Sequence, residues 1–172
     1  MSHTAYVRRM ARYNAWQNDS LIAATDTLTD AARRQDRGAF FGSIEATFLH
    51  ILWADRIWMS RFAPGQVDNP GGRPPAMITA DWQAFKTERE ELDALIEAWA
   101  NAVEEADFDT PLHWYSGIQK RDVTEDRAFI VTHMFNHQTH HRGQIHAMLT
   151  AAGVVPEDTD LMLMDDPVGL PV

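Results

Sequence analysis

The chain is expected to be all-α, a four-helix bundle with long interhelical loops. Three observations point there. Four segments repeat apolar residues at the period of an amphipathic helix, each long enough to run the length of a bundle. No segment reads as convincing β-sheet. Two of the connections are long, where an up-down-up-down bundle prefers short turns, so at least one overhand crossover is expected.

The first helix is read from about Thr4 to Leu28, with Val7, Met10, Ala11, Asn14, Leu21 and Ala24 on one face. Thr29-Asp30 opens a polar connection that ends near Gly42. The second helix starts at Ser43, a good N-cap with Glu45 in the first turn, and stops before Pro64-Gly65. A Pro- and Gly-rich loop follows from Ala63 to Met77. The third helix starts near Thr79-Ala80-Asp81 and runs to about Glu105. Between Asp107 and Val123, Leu112-His113-Trp114-Tyr115 and Ile118-Gln119-Lys120 flank Ser116-Gly117, as in a short hairpin or ordered loop. The fourth helix starts near Thr124 and ends at Gly153, a residue suited to the left-handed position after a helix. Residues 1–172 are read as one domain, with the tail 154–172 packing on the bundle through Leu161-Met162-Leu163-Met164.

Net charge is −10, which argues against a binder of nucleic-acid backbones. Much of the excess is in the tail: no Lys or Arg follows Arg142, but five acidic residues do. Cysteine is absent, which removes disulfides, thiolate metal sites and a cysteine nucleophile. No apolar run reaches membrane-spanning length, and the polar start has no signal-peptide character, so no membrane association is expected and the cytoplasm is the expected compartment.

Eight histidines are present, four of them between His133 and His141. One histidine on a helix is ordinarily a partly buried side chain with one hydrogen bond. The pattern is less ordinary. His137 and His141 lie four residues apart, about 40° around the helix, and share a stripe with Ile130, Gln144 and Met148. On the second helix His50 shares a face with Ala46, Ala54 and Ile57, with Thr47 and Trp53 at its edges. Glu45, Asp55 and Arg56 are read as pointing the other way. Three core-facing imidazoles each need a partner, and one metal ion satisfies all three. A mutual hydrogen-bond network is the rival reading. His133, one turn before His137, fits a ligand, a supporting group or an ordinary histidine. His140 is read as supporting or surface, and His3, His113 and His146 have no pattern support.

The zincin protease motif needs Glu directly after the first histidine, and Gln138 stands there. Deaminases need paired cysteines. Di-iron bundles need Glu three residues before the ligand histidine, and Met134 and Thr47 occupy those places. An ion held by three neutral imidazoles keeps its full charge. It can lower the pKa of bound water to about 7, hold a thiolate from a cosubstrate, or polarise a carbonyl. Trp53 is the tryptophan best placed to line a pocket, and Asp55 and Arg142 form an ion pair between helices or stand as two separate surface charges.

The blocks Ala11-Arg12-Tyr13-Asn14-Ala15-Trp16, residues 38–44, residues 49–58 and His133-Met134-Phe135-Asn136-His137-Gln138-Thr139-His140-His141-Arg142-Gly143-Gln144 resemble the DinB family, the DinB/YfiT-like metalloenzymes. The resemblance spans about Tyr6 to Leu163. It implies a four-helix bundle, often a homodimer, with a divalent metal (zinc or nickel, with iron also possible) on His50, His137 and His141. It also implies a link to DNA-damage stress, and use of low-molecular-weight thiols by relatives that act as S-transferases or a thiol-dependent isomerase. The resulting expectation is a metal-dependent transferase or hydrolase acting on a small molecule, by thiol transfer or hydrolysis. The alternative is a non-catalytic metal-binding or stress-response module.

Overall fold

The computed structural model describes residues 2–71, 81–117 and 119–164. The expected loop through Met77, the helix start at Thr79-Ala80, Ile118 and the tail beyond Met164 lie outside them. The elements in order are α1 (His3–Asp26), α2 (Asp30–Arg34), α3 (Ile44–Phe62), α4 (Trp82–Ala102), β1 (Leu112–Ser116), β2 (Arg121–Glu125) and α5 (Arg127–Ala151), with 3-10 turns at Glu105–Asp109 and Leu161–Leu163. The chain is mainly helical, and its sheet among the described residues is one antiparallel hairpin pairing Leu112 with Glu125 and Ser116 with Arg121.

Local chemistry sets the helix ends. Ser2, Ser43, Asp81 and Asp126 each accept a hydrogen bond from a backbone N–H of the turn that follows. The start expected at Thr124 gives way to Arg127 because Thr124 pairs with His113 in the hairpin. Gly153, at φ +82°, closes α5, and the Val154 N–H reaches back to the Leu149 carbonyl. The stretch after α1, read as a polar connection, contains the short α2, capped by Thr29.

The bundle order is α1–α4–α3–α5, each helix packing on its two neighbours. Asp26 meets Trp82 and Lys86 while His3 meets Glu105, so α1 and α4 are antiparallel. Phe48 meets Trp82 and Phe62 meets Trp99, so α3 and α4 run parallel. Consecutive helices that run parallel need a crossover along the bundle, as the long connection foretells. The core includes Val7, Phe48, Ile51, Met59, Ile96, Met134, Phe135, Ile145 and Leu149.

The bundle interior is not wholly apolar. Arg89 donates to Asp55 at 2.6 Å and to Asp93 at 2.7 Å, and Asn14 and Asn18 donate to Asp93. The Arg142 guanidinium donates to the Asn14 side-chain oxygen Oδ1, and burial lowers its pKa to about 10. Two carboxylates and two guanidiniums share this network, so their charges balance. The outward placement of Glu45 and Asp55 is therefore corrected. Both are buried: Glu45 against Arg34 and Arg33, Asp55 against Arg89. Arg142 is buried too, and it is not ion-paired with Asp55: Arg89 takes that carboxylate from the neighbouring helix. The tail crosses α1, where Tyr13 and Gln17 donate to the carbonyls of Thr159 and Asp158. Of its apolar patch only Met164 is buried; Met162 is 87% exposed.

Candidate metal centre

α3 and α5 lie antiparallel, as the contact of Trp58 with His133 shows alongside those of His50 with His137 and His141. This alignment sets His50, in the second turn of α3, opposite the two α5 histidines. The cap at Ser43 fixes where that second turn falls. The Nε2 atoms of His50 and His137 are 3.0 Å apart, and those of His141 and His137 are 3.1 Å apart. All three ligand atoms lie within 4.8 Å of one another. His141 is buried, whereas His50 and His137 are half-buried, so the cluster borders solvent.

The protons in this cluster do not add up without a cation. The Nδ1 of His141 lies 2.8 Å from Gln144 Oε1, which places a proton on Nδ1 and a lone pair on Nε2. His137 Nε2 faces two nitrogens, and one proton there can serve only one of them. A positive ion among the three lone pairs resolves the conflict. In a tetrahedral site with metal–nitrogen bonds of about 2.0–2.1 Å, ligand nitrogens sit roughly 3.3 Å apart. The spacing between His137 and each neighbour is close to that, so the three histidines could hold a divalent metal ion.

Electrostatics favour the ligand-competent form. Burial, with His141 nearby, lowers the His50 pKa to about 4. Burial and the neighbouring histidines lower that of His137 to about 3. His141 is also lowered by burial, against the opposing pull of Gln144. All three rings are therefore neutral at pH 7, each with a lone pair to offer.

Aromatic rings enclose the cluster on one side. Phe41 stacks on His50 at 3.9 Å and stands 5.3 Å from His141. It is carried there by the tight Ala39–Gly42 turn, whose Gly42 at φ +79° suits only glycine without strain. Trp53 lies 5.8 Å from His50 and donates its indole N–H to the Gly71 carbonyl, tying the following loop to the site.

A family model for the DinB family matches residues 1–167. The chain belongs to the DinB family. This DinB-family chain is similar to protein DinB of Bacillus subtilis (strain 168), with 26% identity over 163 residues, 88% of this chain and 89% of that protein. No solved structure matches it to a significant degree.

The three expected histidines come together. His133 stays outside the cluster, packed edge-on against Trp58 at 5.3 Å. His140 takes a supporting place, 3.3 Å from Gln144 Nε2. Trp53 stands beside His50, with 5.8 Å between ring centroids. Two residues had no role assigned from the sequence. Gln144 was legible in principle, since residues three apart on a helix meet, and it braces His141. Phe41 was not, because its position depends on a turn in a loop.

Proposed function

We propose that the chain is a divalent-metal-dependent enzyme that acts on a small molecule by thiol transfer or hydrolysis. His50, His137 and His141 are its metal ligands, zinc or nickel the first candidates, and a low-molecular-weight thiol its candidate cosubstrate. The observation that carries the reading is the convergence of three neutral imidazole nitrogens from two helices beside solvent. When bound, the ion supplies a polarised water or a held thiolate as nucleophile.

The protein's own groups do the rest. Gln144 fixes the ring orientation and tautomer of His141. Phe41 and Trp53 give the site an apolar wall that keeps bulk water from the reacting group. The Gln138 side chain is fully buried away from the cluster, beside Asp55, and an amide accepts no proton, so zincin-style base catalysis is ruled out. Among the described residues no Asp or Glu joins the three histidines, so activation of a thiol, ester or amide would fall to the bound ion.

The test is turnover by zinc- or nickel-loaded protein in assays of thiol consumption with small electrophiles and of ester and amide hydrolysis. Activity that depends on metal and disappears in His137→Ala supports the proposal. Full metal loading with turnover no faster than His137→Ala in every assay would reduce the site to a clamp in a non-catalytic module.

A further inference from the structure

A second cation-and-ring cluster lies three helical turns from the histidines. Arg61 is eleven residues after His50 on α3, which returns it to within about 20° of the same face, roughly 16 Å along the axis. Its guanidinium carbon sits 4.5 Å from the Trp58 ring and 5.1 Å from the Trp114 ring, and those two rings meet edge-on at 5.8 Å. Trp58 touches His133, and His133 stands 5.9 Å from His137. A strip of rings thus joins the indole pair beside Arg61 to the candidate metal centre, and Trp58 and Trp114 are only half-buried along it.

Arg61 lacks what Arg33, Arg34, Arg89 and Arg142 have. Arg89 has two carboxylates, Arg33 and Arg34 share Glu45, and Arg142 has Asn14. Among the described residues Arg61 has its two indoles and no hydrogen bond or carboxylate, in a chain with ten excess negative charges. Burial lowers its pKa, and no nearby carboxylate opposes that shift. The two indoles stand at 79° to each other and form a corner beside the guanidinium. They leave its edge of N–H donors free, the fork that matches a carboxylate. Its place in the last turn of α3 favours a positive charge but does not require a planar one.

We infer that Arg61 is a substrate-recognition residue: flanked by Trp58 and Trp114, it receives the carboxylate of an elongated small molecule whose other end reaches the three histidines. The inference deepens the proposed function and rests on it for the identity of the reacting end, but the carboxylate site itself can be read without metal. Lysine at this position would keep the charge and lose the planar fork of donors.

The test titrates octanoate and 1-octanol, matched in length, into the full chain, metal-free and zinc-loaded, following tryptophan fluorescence. Wild type, Arg61→Lys and Arg61→Ala are compared, with circular dichroism confirming that each is folded. The expected result is octanoate binding about tenfold or more tighter than 1-octanol in both forms of the wild type. The preference should shrink in Arg61→Lys and vanish in Arg61→Ala. Equal binding of acid and alcohol by the wild type, no binding of octanoate, or an equal preference in all three proteins would overturn it. Because the metal-free form is measured directly, failure of metal loading would leave this result readable and would count against the proposed reaction alone.

Discussion

His137 stands at the centre of its cluster, its Nε2 within 3.1 Å of both other histidines. A histidine four residues from another is a common accident on a helix; a third imidazole delivered from α3 is not. That much was legible from spacing, because both histidine faces share a stripe with apolar residues. The brace on His141 depends on one hydrogen bond, and it yields a prediction. Gln144→Ala should keep the fold but weaken metal affinity about 10- to 100-fold, as loss of a group orienting a ligand does. Competition with a chromophoric chelator would measure it, and an unchanged affinity would mean that the ring is held by packing alone.

Glu105 makes a second residue-scale prediction. Its carboxylate accepts hydrogen bonds from the backbone N–H groups of His3 and Thr4 at the start of α1, which lower its pKa to about 2. The unfolded group titrates near 4.5. The folded form thus binds its proton less readily, so this stabilisation is complete above about pH 4.5 and is lost as pH falls toward 2. Glu105→Gln should lower Tm at pH 6 and converge on wild type near pH 2. Parallel melting curves at both pH values would show that the carboxylate contributes nothing.

Between elements, the buried network carries the specificity of packing. Helical periodicity places residues on faces but does not say which neighbour they meet. Asp55 and Glu45 were assigned to the outer side of α3 because charge usually goes there. They are buried because the partners Arg89, Arg33 and Arg34 come from other helices, which no pattern within α3 reveals. Removing one member should leave an uncompensated charge in the core. Asp55→Ala is expected to cost about 3–5 kcal/mol, read from urea unfolding, and Asp55→Ala with Arg89→Met should recover part of that. Additive losses in the double variant would show that the two side chains do not act as a pair. The hairpin was legible only in its first strand: Leu112–Tyr115 falls in β1, but the second strand is Arg121–Glu125, with Gln119 and Lys120 in the turn, and α2 is too short for a periodic signal.

At the scale of the molecule, the bundle class and its crossover were legible from helix number and connection length, while the neighbour order was not. The order matters because it makes α3 and α5 antiparallel neighbours and so creates the three-histidine cluster. It also makes the cluster a link between two helices far apart in the chain. Any ligand that binds only this folded arrangement must stabilise it by mass action. At free metal near 1,000 times Kd the gain is about 4 kcal/mol, or roughly 10 °C in Tm for a chain of this size. Melting curves with zinc and with a chelator should differ by that order in wild type and coincide in His137→Ala. No helix among the described residues is long and apolar enough to cross a membrane.

The most direct test of the central claim is elemental analysis of protein purified without a histidine tag or added metal, together with His50→Ala, His137→Ala and His141→Ala. The account predicts about one divalent metal per chain in the wild type and loss of it in all three folded variants. A wild type without metal that stays empty when zinc or nickel is supplied, or a His137→Ala variant that keeps a full equivalent, would contradict it and leave the three histidines as a hydrogen-bonded cluster in the core.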